Sequence, residues 1–322
     1  MTADRFLRQR TLPEVGDAGQ ARLAAASVLV IGAGGLGCPV LTALAGAGVG
    51  HITLVDPDVV DLTNLHRQPL YRMADIGAPK AEAARAALAA YAPDTRVTAR
   101  VGRLDPANVA GLVAGADLVV DAADSFAATY ILSDACLRAG KALVSASVLG
   151  LSGYVGAFCG GAPSYRAVFP KMPAQVATCA TAGVLGPVVT MIGGLQAQMA
   201  LALVLGLAPS PLGRLVRMEA GAFRFASFDF TGTPEPGAAI PFIAPQHVTT
   251  GDLVIDLRGL DEAPVSPLAD ALRLTVPEVE AAPPLAPGQR IVLACRSGIR
   301  AARAAEALER AGQRDLALIA LG

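Results

Sequence analysis

Glycines at 32, 34, 35 and 37 lie between a β-branched apolar run, Val28 to Ile31, and a helical pattern from Cys38 to Gly46. Such a strand, tight turn and helix N-terminus bind anions, because backbone N–H groups approach a phosphate with no side chain between. A second apolar run, His51 to Asp56, ends in a carboxylate about where a ribose hydroxyl would lie. Gly32-x-Gly34-x-x-Gly37 is a weak signal alone; between strand and helix, with Asp56 at the next strand end, it predicts a nucleotide site. The glycine loop fits a nicotinamide dehydrogenase equally well, so the nucleotide is chosen downstream.

Downstream stand Asp58, Asn64, Arg67, Gln68 and Lys80, then Asp124 after the buried strand Leu118–Asp121. Two fixed cations and an amide near a glycine loop suit the phosphates of a triphosphate, since its reaction develops charge on oxygens. Arg67 offers forked contacts and Lys80 a point charge. Lys80 also reads, more blandly, as the exposed start of the alanine-rich helix from Pro79 to Tyr91. Asp124 falls at a strand's carboxyl end, where open α/β sheets place ligands. Opposite those cations it suits Mg²⁺ rather than a general base.

A second constellation lies near the other end. Ile291-Val-Leu-Ala-Cys295-Arg296-Ser-Gly298-Ile-Arg300 runs from a strand through a tight loop into a helix from Ile299 to Ala311. Backbone N–H groups, a helix N-terminus and two arginines around one sulfur lower a thiol pKa and stabilise a persulfide anion. The alternative is a buried cysteine at a strand end.

The elements needed to hold these residues are an α/β, Rossmann-like, mostly parallel sheet followed by a smaller α/β unit. A chain of 322 residues is too long for one ordinary core. The predicted boundaries are an ATP-binding domain over 1–230, a linker over 231–246 and a small domain over 247–322. Pro234, Pro236, Pro241 and Pro245 mark the linker, whose stretched reach is roughly 50 Å at about 3.1 Å per residue. Later strands are expected at Ala142–Ser147, Tyr154–Phe158 and from Leu253, with a short helix at Gly19–Ala25.

Composition excludes several classes. The hydrophobic fraction of 53% with 16% charged is globular, and a formal charge of −1 provides no basic field for nucleic acid. Five cysteines, at 38, 136, 159, 179 and 295, are odd in number without paired spacing, which points to a reducing cytoplasm. Asp4, Arg5, Arg8 and Arg10 precede any apolar run, unlike a signal peptide. From Met172 to Gly213 there is no charged residue, and Gly183 to Leu207 is long enough to span a bilayer. Pro187, Gly193-Gly194, Gln196 and Gln198 favour a buried core or dimer-interface helix instead of a membrane span.

Taken together, Gly-x-Gly-Gly-x-Gly, Asp56-Pro-Asp58, Asn64-x-x-Arg67-Gln68, Lys80 and Asp124 make an ordered set that resembles the ThiF/MoeB family over about Arg5 to Gly206. These are bacterial relatives of ubiquitin-activating enzymes, which adenylate the C-terminal glycine of a small ubiquitin-like sulfur carrier. The resemblance implies ATP and Mg²⁺ as cofactors, a homodimer, and a carrier ending in Gly-Gly. It also implies that Arg8, otherwise a solvated arginine in an arginine-rich tail, reaches the partner subunit's ATP. Cys179, in Thr178-Cys179-Ala-Thr-Ala-Gly183, falls on the family's reactive cysteine, and a lone cysteine in apolar company is otherwise inert core. Three departures stand out. Ser125 replaces the usual Asn after Asp124, leaving the metal assignment standing. Ser164 and Ala167 stand where many relatives carry a zinc-binding Cys-x-x-Cys, so no zinc site is expected. Met199 and Ala202 replace the usual glutamate and lysine.

Asp256-Leu-Arg258 and the Cys295 loop resemble the single-domain rhodaneses, which implies a sulfur donor such as thiosulfate or a cysteine desulfurase persulfide. The usual His-Ile-Pro-Gly-Ala segment is replaced by a proline-rich stretch from Asp261 to Pro287, so the domain is shortened. The combined reading is an ATP-dependent adenylyltransferase fused to a sulfurtransferase, with the carrier's pathway (thiamine, molybdopterin, tRNA thiolation or another) left open by the sequence. Two rivals stand beside it. A nicotinamide-dependent oxidoreductase would leave Asn64, Arg67 and Lys80 without work, and a member adenylating a tRNA base would be served better by a basic tail.

Overall fold

The apolar run before the glycine loop forms strand β1 (Ser27–Ile31), four of whose five residues are buried. It lies inside an eight-stranded sheet in a computed structural model that describes residues 4–173, 183–281 and 288–322. The other strands are β2 (His51–Asp56), β3 (Arg96–Val101), β4 (Leu118–Asp121), β5 (Ala142–Leu149), β6 (Ser152–Cys159), β7 (Arg214–Glu219) and β8 (Arg224–Asp229). Their order is β3-β2-β1-β4-β5-β6-β7-β8. The first five pair in parallel and the last three add on antiparallel. Chain order reverses between β1 and β4, so a crevice opens at their carboxyl ends, the place where such sheets bind ligands.

Both faces of the central strands β1 and β4 are covered, which explains their Val/Ile/Leu character, while the edge strand β3 stays partly exposed. On one face Val28, Val30 and Leu54 pack with Leu41 and Leu44 of the helix Gly37–Gly46, Leu88 of the helix Lys80–Tyr91, and Ile192 of the helix Gly186–Leu205. On the other, Leu29, Ile31 and Val119 pack with Val113 and with Tyr130 and Leu132 of the helix Phe126–Ala139. The uncharged Gly186–Leu205 helix has the length and composition to cross a membrane, yet it lies on the sheet with Val188, Val189, Gln196 and Ala200 buried. A Cβ at its Gly193 would come within 2.4 Å of Pro39 and 3.0 Å of the Leu36 carbonyl, so it crosses the Gly37–Gly46 helix almost backbone to backbone. Pro187, Thr190, Met191, Gly194 and Gln198 are left exposed along its opposite side.

A second, all-parallel sheet has the order β10-β9-β11-β12, from β9 (Leu253–Asp256), β10 (Leu272–Arg273), β11 (Ile291–Cys295) and β12 (Leu316–Ala320). The helix Ile299–Arg310 packs on it. One apolar cluster runs through both sheets, joining Tyr130, Phe158 and Phe230 to Phe242, Ile255, Leu293 and Leu318.

The proline-rich stretch 231–246 is therefore no free tether. The Glu235 carboxylate accepts from the Ser164 N–H and hydroxyl, each at 2.6 Å. Ile243 N–H donates to Leu318 O at 2.8 Å, Leu318 N–H donates to Pro241 O at 2.9 Å, and Phe242 and Ala244 are buried. Prolines remove donors, but their carbonyls still accept and the apolar residues between them still bury. The stretched reach expected from composition does not describe this segment.

Candidate active site

The four glycines divide their labour. Gly32 has φ +99°, and a Cβ there would meet the Ala122 carbonyl oxygen at 2.6 Å; at Gly37 it would meet Gly32 O at 2.1 Å. These two let the loop pack on the neighbouring strand end and on itself. A Cβ at Gly35 would come within 2.8 Å of Val189, which presses the loop onto the long apolar helix. Gly34 differs, because its nearest neighbour would be Gln68 Nε2 at 3.7 Å and it lines a cavity. Here a phosphate can approach the start of the Gly37–Gly46 helix, whose first N–H groups lack a side-chain cap. Cys38 sits at that helix start, but burial pushes its thiol up to about 12 and keeps it a neutral core group.

Asp56 is 4% exposed, and its two oxygens accept from Ala33 N–H at 2.7 Å and Asp58 N–H at 2.8 Å. Burial raises its pKa against those two bonds. The residue expected to hold a ribose thus also locks the glycine loop to β2, and each oxygen keeps a second lone pair for a hydroxyl. Lys80 is buried, with its ammonium 2.9 Å from Asp58 Oδ2. Tyr71 bridges the two halves, its hydroxyl lying 2.7 Å from Ala33 O and 3.2 Å from Lys80 O.

Asn64, Arg67 and Gln68 form one turn, in which Asn64 O accepts from the N–H groups of Arg67 and Gln68. The turn abuts the start of the Gly186–Leu205 helix, where a Cβ on Gly186 would meet His66 O at 2.6 Å. Arg67 donates to Thr63 O at 3.1 Å and to the His66 ring at 2.9 Å. Gln68 is 2% exposed and its Oε1 has no hydrogen-bond partner among the described residues. That buried acceptor borders the cavity, ready for a ribose hydroxyl or a base amine.

Asp124 is exposed to the cavity at the end of β4. Ser125 caps the helix Phe126–Ala139, its hydroxyl accepting from Ala128 N–H at 3.4 Å. Beneath lies Asp121, fully buried, whose carboxylate accepts from Thr129 Oγ1 at 2.7 Å, Ser145 Oγ at 2.8 Å and Ala123 N–H at 3.2 Å. Burial pushes Asp121 up to about 6, with the nearby Asp124 charge adding to the rise. Gln196, also fully buried, donates to Asp121 O at 2.6 Å and Val144 O at 3.1 Å. It ties the long helix to the strand end that presents Asp124. Tyr71, Asp121 and Gln196 were not read from sequence as site residues.

Gly34, Asp56, Asp58, Asn64, Arg67, Gln68, Lys80 and Asp124 all border one cavity of about 690 Å³, within the range of nucleotide-sized sites. The unpartnered Gln68 oxygen and the open approach at Gly34 fit a phosphate-bearing ligand. Among the described residues no group of three or more His, Cys, Asp or Glu could hold a metal ion unaided. Asp124 alone, completed by phosphate oxygens and water, fits the way Mg²⁺ is held at triphosphates. Arg8 is exposed on the helix Leu7–Arg10 and does not line this cavity. Cys179 lies outside the described residues. Ser164 caps the short helix Tyr165–Val168 by accepting from Ala167 N–H at 3.2 Å.

Cys295 ends β11 fully buried, its sulfur 3.1 Å from Gly298 N and 3.4 Å from Ala301 N. Those backbone donors match the expected loop. The arginines do so only in part, since the Arg300 guanidinium is held by both Glu262 oxygens at 2.7 and 2.6 Å while Arg296 is exposed.

Residues 6–237 match the ThiF family, and the chain belongs to that family. It is 42% identical over 225 residues to "Adenylyltransferase and sulfurtransferase MOCS3" of Drosophila grimshawi, covering 69% of this chain and 50% of that one. It is 43% identical over 225 residues to the "Sulfur carrier protein adenylyltransferase" of Thermus thermophilus, covering 67% of this chain and 83% of the relative. The chain spans about half the length of several curated relatives it matches. In fold it is similar to E. coli MccB, with a TM-score of 0.64 at 22% identity over 72% of each chain.

Proposed function

We propose that this chain uses ATP and Mg²⁺ to adenylate the C-terminal glycine of a ubiquitin-like sulfur carrier, and that Cys295 then carries sulfur to it. The observation that carries the first half is the convergence of the open Gly34 approach, buried Lys80 and Asp124 on one cavity at the strand switch point. The names of the MOCS3 and Thermus thermophilus relatives point the same way.

In the proposed reaction a carboxylate oxygen of the carrier's tail attacks the α-phosphorus of ATP. An acyl–phosphate bond forms, the α–β bridging bond breaks, and pyrophosphate leaves. No enzyme nucleophile takes part, so catalysis rests on positioning and charge stabilisation. The glycine loop holds phosphate oxygens through backbone N–H groups, Lys80 and Arg67 meet the charge that develops, and Asp56 orients the ribose. Bound Mg²⁺, held through Asp124, would neutralise phosphate charge. Arg8 is assigned to the partner's site in a homodimer.

The sulfur half rests on the Cys295 loop and its likeness to rhodaneses. The outer sulfur of a Cys295 persulfide, loaded from thiosulfate or a cysteine desulfurase, attacks the acyl carbon and AMP leaves. A second thiol attacks the Cys295 sulfur of the acyl disulfide, forming a disulfide with it and releasing the thiocarboxylate; Cys179 is the candidate. The test is mass spectrometry of the carrier after one turnover. Wild type should yield the thiocarboxylate from thiosulfate, and Cys295→Ser should stop at the adenylate and its hydrolysis product. A full yield from Cys295→Ser would remove Cys295 from the reaction.

A further inference from the structure

The Rossmann-like sheet does not enclose the nucleotide cavity by itself. Phe242 and Ala244, from the strap that precedes the second sheet, and Leu321, just past β12, border the same cavity as Asp56 and Asp124. This outer wall is fastened to the large sheet where Arg103, shortly after β3, donates to Leu321 O at 3.2 Å. Arg103 follows β3, so this fastening lies on the β2–β3 side of the cavity mouth.

The wall is also continuous with the cysteine loop. Leu321 N–H donates to Cys295 O at 2.9 Å, and Phe242 borders the cavity while covering Gly298. A Cβ on Gly298 would lie 2.8 Å from the Phe242 ring and 3.4 Å from Ala127, in the first turn of the helix after Asp124. In this docked arrangement the Cys295 sulfur is sealed, with 0% of the residue exposed.

We propose that the C-terminal sheet completes the nucleotide site through Phe242 and Leu321, and that the docking which does so closes Cys295. ATP binding and access to Cys295 then oppose each other. The proposal rests on the ATP reading above. A ligand touching both units favours the arrangement in which both touch it. By linkage, the factor by which ATP suppresses access to Cys295 equals the factor by which docking tightens ATP. Loading of sulfur onto Cys295 therefore belongs to the nucleotide-free, undocked arrangement, and its transfer to the acyl-adenylate requires the wall to reopen once pyrophosphate has left. Phe242 is a positioning residue in this scheme.

The experiment follows iodoacetamide alkylation of Cys295 by peptide mass spectrometry in the full chain, with and without saturating Mg-ATP, alongside calorimetry of ATP binding. In wild type ATP should slow alkylation about tenfold or more. Phe242→Ala and the milder Leu321→Ser, each checked for cooperative melting, should raise the ATP-free rate, lose most of the ATP effect, and weaken ATP binding by a similar factor. Protection by ATP that persists in a folded Leu321→Ser overturns the proposal. So does wild-type alkylation that ignores bound ATP, an outcome that leaves the ATP reading intact. Calorimetry showing no ATP binding at all overturns both.

Discussion

Lys80 Nζ lies 2.9 Å from Asp58 Oδ2, with the lysine side chain 7% exposed and the aspartate 63% exposed. The cation is fixed in the protein while its counter-ion is free to rotate into water, so an arriving phosphate can replace Asp58 without stranding a charge. Lys80→Ala should lower ATP–pyrophosphate exchange at least about 100-fold, as loss of a preorganised charge does. The stability cost should be only about 1–2 kcal/mol, from lost packing of the lysine stem. Exchange kinetics and urea unfolding together check this, and a large stability loss would make Lys80 a structural residue first.

Asp124 faces the cavity and is exposed. Asp124→Ala should therefore leave the melting temperature unchanged while abolishing Mg²⁺-dependent exchange, a loss on the order of 100-fold or more. A magnesium titration of exchange rate separates weak metal binding from lost chemistry. A variant with a near wild-type rate at ordinary magnesium would withdraw Asp124 from the metal.

The glycine loop supplies a paired prediction. Gly37→Ala would drive a Cβ to 2.1 Å from Gly32 O, whereas Gly34→Ala meets nothing nearer than Gln68 at 3.7 Å. Gly37→Ala should cost about 3 kcal/mol or more, or prevent folding. Gly34→Ala should fold like wild type and weaken ATP, because its methyl stands where the phosphate approaches. Denaturation midpoints and ATP titrations check both.

Much of this site was legible because its signals are local. A β-branched run ending in glycines, the run His51–Asp56 and the run Leu118–Asp121 declare buried strands, and the glycines, Asp56, Asp58 and Asp124 end or closely follow them, while Asn64, Arg67, Gln68 and Lys80 stand further along the same segment. What stayed hidden depends on long-range partners. Gln196 was read only as a polar interruption of an apolar helix, since Asp121 and Val144 are 75 and 52 residues away. Tyr71 gave no signal because its partners are backbone carbonyls. The prolines of 231–246 announced missing donors and said nothing of Phe242, whose burial depends on the second sheet.

Asp121 makes a pH prediction. Its folded pKa of about 6 lies above the unfolded value of about 3.9. Between those values the unfolded chain has already released its proton while the folded chain still holds one. Stability therefore falls as pH rises through that window, by about 2–3 kcal/mol in all, and the cost persists above it. Asp121→Asn cannot titrate, so its stability relative to wild type should rise from pH 4 to pH 6 in urea unfolding series. A flat difference would mean that the hydroxyls of Thr129 and Ser145 compensate for burial fully.

The most direct measurement is ATP–pyrophosphate exchange with purified ubiquitin-like carriers, each tested intact and with its C-terminal Gly-Gly removed. Adenylation of the carrier's terminal glycine predicts exchange that requires both Mg²⁺ and an intact tail, is lost in Lys80→Ala and Asp124→Ala, and survives in Cys295→Ser. Exchange at the same rate with the clipped carrier, or ATP binding with no exchange in the presence of any intact carrier, would contradict it.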